Sequence, residues 1–279
     1  MPATTRAGAR VGDNDERRGA ARAGSDALAV LPTGDPGAIS FVRFAPRAPY
    51  DSRLIMMEER GSDAAAAFRL LRQRLVERDD PRSILCTSAD RYEGRSTLAA
   101  NLAMAYAELG KYRVLLIEAG FREASLGEMF GFLPPKGFAS QIAVHRLRPQ
   151  DPWVVVQIGG APLYVMAAEP RACTKCTRTL AENAKFCPMC GTEAAAARIP
   201  SGFDGVSFAS TIQRFRESFD YVILDAPPVL GSGEVNLIQD AADAIVFATR
   251  KGQTEAQRLR RAIEQVAPAA VAAVALIDG

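Results

Sequence analysis

From residue 63 onward, short apolar runs alternate with longer amphipathic stretches. Between Asp63 and Glu77 the apolar positions Ala66, Ala67, Phe68, Leu70, Leu71 and Leu75 recur at helical spacing, with Arg69, Arg72 and Arg74 between them, which predicts an amphipathic helix. The run Ser83-Ile84-Leu85-Cys86-Thr87 reads as a strand. A polar loop follows it, and then a helical stretch from Ser96 to Leu109 that stops at Gly110. Arg113 to Ile117, Tyr221 to Leu224, Ala244 to Thr249 and Val271 to Ile277 are continuous apolar runs, the pattern of strands covered on both faces. Helical periodicity over Val206 to Glu217, Val235 to Asp240 and Glu255 to Val266 separates the later strands. The alternation predicts a doubly wound, mostly parallel α/β sheet with right-handed crossovers. No segment repeats at a fixed period, which argues against a solenoid or propeller.

The 279 residues, 48% of them hydrophobic, suffice for one substantial core with a tail or small module to spare. Residues 1 to 52 mix Arg, Ala, Gly, Asp and Pro without sustained periodicity and read as a disordered tail, leaving 53 to 279 for the α/β domain. The net charge of +2 provides no global field for nucleic acid or an anionic membrane, so no nucleic-acid partner is expected. With no run of 18 apolar residues and no apolar signal-type segment, a cytoplasmic location is expected.

Two segments carry candidate chemistry. Ala89-Asp90-Arg91-Tyr92-Glu93-Gly94-Arg95-Ser96-Thr97 lies between a strand and a helix, where backbone N–H groups and a helix N-terminus cradle phosphates. Gly94, Ser96 and Thr97 fit that motif. Arg95 stands where the motif has Lys, and its planar guanidinium does not simply replace an ammonium. Tyr92 stands where a positive φ would cost about 1–2 kcal/mol without Gly. An ordinary strand-to-helix turn is the competing reading of this loop.

The second segment holds four of the five cysteines, as Cys173-Thr174-Lys175-Cys176 and Cys187-Pro188-Met189-Cys190, with Gly191 after the second pair. Two such tight knuckles supply four thiolates to a tetrahedral structural Zn²⁺, so residues 170–195 are predicted to form a zinc ribbon inserted in the domain. The ribbon carries only Lys175, Arg178 and Lys185 beside Glu182, too little charge for phosphate contacts, and is expected to present a surface to protein partners. Cys86, inside a core strand, reads as a packed thiol. His145 reads as a surface residue, Trp153 as local packing and Arg95 as a solvated base.

Read together, these segments resemble the bacterial tyrosine kinases (BY-kinases) of capsular and exopolysaccharide synthesis, relatives of the MinD/ParA ATPases. Ala66-Ala67-Phe68-Arg69-Leu70-Leu71-Arg72 resembles the family's EAYRxLR, and Thr87 to Thr97 its TSAxPGEGKST. Leu115-Leu116-Ile117-Glu118-Ala119-Gly120-Phe121-Arg122 resembles LLIDADLR. Phe219-Asp220-Tyr221-Val222-Ile223-Leu224-Asp225-Ala226-Pro227-Pro228 resembles the Walker B segment FDYVIIDTPP. Leu163 to Met166 and Val246 to Thr254 resemble two further family segments, so the likeness runs from about Ala66 to Ile277. It implies a P-loop for ATP and Mg²⁺ at Gly94, Arg95, Ser96 and Thr97, with Glu118 and Asp225 as the remaining metal-associated acids.

The departures are Arg91, Tyr92 and Arg95 in the loop, Gly120 for the second acid, and Ala66 for the Glu of the oligomerising motif. No tyrosine-rich segment follows the last strand. Phosphoryl transfer rests on charge neutralisation by Lys and Mg²⁺, so weak or absent ATP–Mg²⁺ binding is expected. The leading expectation is a non-catalytic or weakly active regulator. It would bind protein partners, among them a membrane component of polysaccharide assembly that recruits it to the inner face of the membrane, without forming the family's ring. The alternatives are an active autokinase or ATPase that tolerates Arg95, a MinD/ParA-like ATPase, and a zinc-ribbon adaptor for nucleic acid.

Overall fold

The computed structural model describes residues 29–31, 38–120, 124–180, 184–194, 204–231 and 233–278. In chain order the strands are β1 (Ala29–Leu31), β2 (Ile39–Phe44), β3 (Ser83–Ser88), β4 (Val114–Glu118), β5 (Trp153–Ile158), β6 (Leu163–Met166), β7 (Tyr221–Asp225), β8 (Ala244–Arg250) and β9 (Val271–Ile277). The helices are α1 (Ile55–Glu58), α2 (Asp63–Arg78), α3 (Arg95–Ala107), α4 (Leu126–Phe130), α5 (Phe138–Leu147), α6 (Gly205–Arg216), α7 (Val235–Ile238) and α8 (Ala256–Gln265). The strands form one sheet in the order β1-β2-β5-β6-β4-β7-β3-β8-β9. Pairing is parallel throughout except for β1 with β2 and β5 with β6.

Alternation along the central strands builds a core on each face. Ile84, Cys86, Leu116, Ile223 and Val246 pack with α2 and α3 on one side. Leu85, Leu115, Ile117, Leu224 and Phe247 pack with α5, α6 and α8 on the other. Since β3, β4 and β7 are covered twice, their continuous apolar runs are what two-sided burial requires. Helix starts are capped as their sequences dictate: Ser62 Oγ accepts the N–H of Ala65 at 3.1 Å, and Asp204 Oδ1 that of Ser207 at 2.8 Å.

The structure corrects two readings. The tail assigned to residues 1–52 does not extend that far: Ile39–Phe44 pairs in register with β5, from Ile39 on Trp153 to Phe44 on Ile158, and Ala29–Leu31 pairs with it in turn. Ile-Ser-Phe-Val-Arg-Phe is too short an alternation to stand out in a Gly- and Pro-rich surround. The rest of that stretch, residues 1–28 and 32–37, lies outside the described residues. Trp153 is a packing residue, as read, and opens β5 with 3% of its surface exposed. His145 is half-buried rather than free on the surface: its ring stacks on Trp153 at 3.7 Å and 9°. Burial first, and the Arg214 charge second, lower its pKa.

Candidate functional site

The carboxyl ends of β3, β4 and β7 lie side by side, with Cys86 opposite Asp225 and Glu118 opposite Asp225. In an open α/β sheet this is where ligands bind. The loop after β3 turns into α3 through Gly94, whose φ of +88° needs a residue without Cβ; a Cβ there would also lie 3.1 Å from Cγ2 of Ile277. Tyr92 takes φ +64°, the strained left-handed conformation that its sequence position foretold, and its side chain is exposed. What holds the loop is Glu93, which is buried. Its carboxylate accepts the N–H of Asp90 at 2.9 Å and the hydroxyl of Thr254 at 2.6 Å. Asp90 in turn pairs with Arg258 of α8, which lowers its carboxyl pKa, and Arg250 donates to the carbonyl of Tyr92 at 3.2 Å.

Arg95 is not solvated. It is 8% exposed, and together with Ser96 it lines two cavities, so the pair forms the partition between them. The smaller cavity, about 330 Å³, is bounded by Asp90, Arg91, Gly120, Asp225, Pro227 and Glu234. At Gly120 a Cβ would meet only the backbone nitrogen of Pro227, at 3.9 Å. A Cβ is therefore not excluded there by crowding.

Glu118 is buried beneath the loop and turned away from this cavity. Its Oε1 accepts the N–H of Ser125, the hydroxyl of Ser125 at 2.9 Å and the N–H of Leu126 at 3.1 Å, while Oε2 accepts the N–H of Ala168 at 2.7 Å. Burial, then the nearby Asp225 carboxylate, push its pKa up to about 7 against the pull of those N–H groups. The larger cavity, about 880 Å³, opens on the other side of the loop. It runs from Gly94–Thr97 past Ser125 and Glu128 to Pro170, Arg171, Thr179 and Leu180 of the cysteine segment.

That segment leaves β6 and folds as two matching knuckles. The N–H of Thr177 donates to the carbonyl of Cys173 at 2.9 Å and the N–H of Cys173 to the carbonyl of Arg178 at 2.8 Å. Gly191, Cys187 and Thr192 repeat the pattern at 2.9 and 2.8 Å. Left-handed residues close each turn, Thr177 at φ +57° and Gly191 at φ +68°. Each knuckle is flanked by an antiparallel bridge, Ala172 with Thr179 and Phe186 with Glu193. The Sγ atoms of Cys173, Cys176, Cys187 and Cys190 all lie within 4.8 Å of one another. Two of the contacts, Cys173 to Cys190 and Cys176 to Cys187, are 3.5 Å, far beyond the about 2.05 Å of a disulfide. A tetrahedral ion with bonds of about 2.3 Å to sulfur spaces its ligands about 3.8 Å apart, so the cluster fits one metal ion. Thr192, by its side chain and then its backbone N–H, lowers the Cys190 thiol to about 6, toward the thiolate a metal requires. Among the described residues, Leu180 is buried against Cys173 and Cys187 between the knuckles.

The comparisons with known proteins fall on the α/β frame. No family model matches the chain. It is 28% identical over 187 residues to the tyrosine-protein kinase YwqD of Bacillus subtilis strain 168, covering 67% of each protein. The kinase domain of the Escherichia coli tyrosine kinase ETK superposes with a TM-score of 0.62 at 17% identity, covering 81% of this chain and 79% of that one. The chain is thus similar in sequence to one bacterial tyrosine kinase and shares the fold of another's kinase domain. It is also 27% identical over 168 residues to the septum site-determining protein MinD of Synechocystis, matching 60% of this chain but only 53% of that protein.

The structure brings Gly94, Arg95, Ser96, Thr97, Glu118 and Asp225 together in this BY-kinase-like frame, and gathers the cysteines beside them. Sequence reasoning missed Glu93, Thr254 and Arg258 as loop supports, and Arg53, Arg171 and Arg250 as cavity residues. Their partners lie up to 168 positions away in the chain, so no local pattern could mark them. No helix among the described residues is long and apolar enough to cross a membrane.

Proposed function

We propose that this chain is a BY-kinase-like P-loop protein that no longer carries out phosphoryl transfer and works by binding. In this reading it is a cytoplasmic regulator in exopolysaccharide assembly, with a structural Zn²⁺ on Cys173, Cys176, Cys187 and Cys190. The observation that carries the reading is the pair Arg95 and Gly120. Phosphoryl transfer needs a compact cation on the β- and γ-phosphates and acids that hold Mg²⁺. Here a buried arginine lines both cavities of the cleft, and Gly120, which lines the smaller one, offers no carboxylate. The role in polysaccharide assembly rests on the family resemblance alone.

Self-association into a ring is not part of this reading. The two arginines surviving from the oligomerising motif bond within the chain: Arg69 grips Glu108 with two contacts of 2.7 Å, and Arg72 donates to the carbonyl of Ala105 at 2.6 Å. Ala66, in place of the motif's Glu, is exposed.

A second reading, an active autokinase, draws on Glu118 and Asp225, which are register partners at the ends of β4 and β7. Calorimetry with ATP and Mg²⁺ separates the two. The binding-protein reading expects weak or no heat, and micromolar affinity with steady phosphate release would favour the kinase.

A further inference from the structure

The four clustered cysteines differ in how they meet solvent. Cys173 and Cys187, the first of each knuckle, are buried, whereas Cys176 and Cys190, the second of each, are half-buried. Both 3.5 Å contacts cross between the knuckles, and each joins a buried sulfur to a reachable one: Cys173 with Cys190, and Cys176 with Cys187. To form a disulfide of about 2.05 Å, each pair has to close by only about 1.5 Å. We propose that the cluster is an oxidation site, at which a peroxide converts the four thiolates into two disulfides that cross between the knuckles, Cys173 with Cys190 and Cys176 with Cys187, and so expels the metal while the element keeps its fold. The proposal goes beyond the reading above but rests on its metal assignment.

The thiolate is the form of cysteine that binds metal and also the form that attacks peroxide, so a cluster suited to an ion presents reactive sulfurs. With hydrogen peroxide, the reachable sulfur of Cys190 or Cys176 attacks one oxygen, the O–O bond breaks, hydroxide leaves and the sulfur becomes a sulfenic acid. Its buried partner, 3.5 Å away, then attacks that sulfur; the S–S bond forms and the oxygen leaves as a second hydroxide. Each disulfide thus takes two electrons from two sulfurs and reduces one peroxide to two hydroxides. Two peroxides account for all four thiolates, four hydroxides carry off the four negative charges, and the divalent ion departs without its ligands. A resolving sulfur already in place favours the disulfide over further oxidation to sulfinic acid.

Bridges that cross keep the knuckles together. They tie residues 17 and 11 positions apart, so one loop is nested in the other and the two knuckles stay joined after the ion has gone. Closing such loops restricts the unfolded chain. The backbone bonds inside the knuckles, Cys173 with Arg178 and Cys187 with Thr192, take no part in the reaction, and Leu180 keeps its place against Cys173 and Cys187. Bridges within the knuckles, Cys173 with Cys176 and Cys187 with Cys190, would instead leave two separate turns. Cys86, wholly buried in β3 and outside the cluster, should stay reduced and serves as the control thiol.

The test is exposure of the full, zinc-loaded chain to hydrogen peroxide, with the zinc remaining on the protein measured after desalting and the products digested by trypsin without reduction. Cleavage after Arg171, Lys175, Arg178, Lys185 and Arg198 places Cys173 in 172–175, Cys176 in 176–178, and both Cys187 and Cys190 in 186–198. Crossing disulfides join these three peptides into one species, with 172–175 held on Cys190 and 176–178 on Cys187 when it is fragmented. Disulfides within the knuckles give two species, 172–175 joined to 176–178, and 186–198 closed on itself. Oxidation of the exposed Met189 adds an oxygen to 186–198 but joins nothing. Zinc should be lost in step with the three-peptide species, and dithiothreitol with added zinc should reverse both. Hydrogen exchange over 170–195 should be slower in the oxidised chain than in Cys187→Ser. Zinc retained under peroxide, sulfinic or sulfonic acids in place of disulfides, any other pairing, or exchange as fast as in Cys187→Ser overturns the proposal. Each of those results leaves the metal site standing, whereas wild type that holds no zinc before peroxide is added contradicts the metal assignment itself.

Discussion

Ser96 Oγ and Ser125 Oγ lie 2.9 Å apart, and Ser125 Oγ lies the same distance from Oε1 of Glu118. The hydroxyl that a P-loop offers to Mg²⁺ is thus joined to the buried acid through another side chain. Glu118 spends its carboxylate on the turn into α4 and on Ala168, so here it serves as a structural acid.

Glu118 makes stability depend on pH. Its folded pKa of about 7 lies above the ordinary glutamate value near 4.5, so between those values the native state holds a proton that the unfolded chain has lost. Stability therefore falls as pH rises from about 4.5 to about 7, by a few kcal/mol at most, and levels off above that. Urea melts of wild type across this range should show the decline. Glu118→Gln should flatten it while lowering stability overall, because its amide N–H₂ would face backbone donors.

Gly94→Ala should destabilise the protein by about 1–2 kcal/mol, since alanine pays for φ +88° and its Cβ presses on Ile277 at 3.1 Å. A thermal melt reads this directly. Gly120→Ala, whose Cβ would make only an ordinary contact of 3.9 Å with Pro227 N and which needs no positive φ, should shift the melt far less.

The cysteine element should carry one Zn²⁺ per chain and lose its order without it, while the α/β domain, with cores on both faces of its sheet, stays folded. Elemental analysis of protein purified without chelator, followed by hydrogen exchange of Cys187→Ser over residues 170–195, measures both. Zinc near zero, or a core that melts together with the ribbon, would show the assignment wrong.

With Arg69 bound to Glu108 and Ala66 offering no carboxylate, light scattering should give the mass of a single chain rather than of a ring. Glu108→Ala, which frees Arg69, should not restore a ring, because the acidic partner remains absent.

Much of this was legible in the sequence, for physical reasons. β3, β4, β7 and β8 are covered on both faces, so burial wrote itself as unbroken apolar runs. The thiolate pairs, each with two residues between its members, carried the spacing that lets them share an ion. β2 was hidden because its alternation is one turn of pattern among prolines and glycines, and β5 because Trp153-Val154-Val155-Val156 precedes a polar turn and pairs with β6 antiparallel, outside the parallel rhythm of the rest. The loop was read by its spacing, but the burial of Arg95 and the support from Glu93 and Thr254 arise only when β8 comes to lie beside β3.

Phosphate release from saturating ATP and Mg²⁺ by the wild-type chain tests the central claim most directly, with Arg95→Lys combined with Gly120→Asp measured beside it. The account expects no release above background from wild type and detectable turnover once the compact cation and the second acid are restored in the space that Gly120 leaves open. Steady release by wild type, at a rate that Arg95→Ala abolishes, would contradict it.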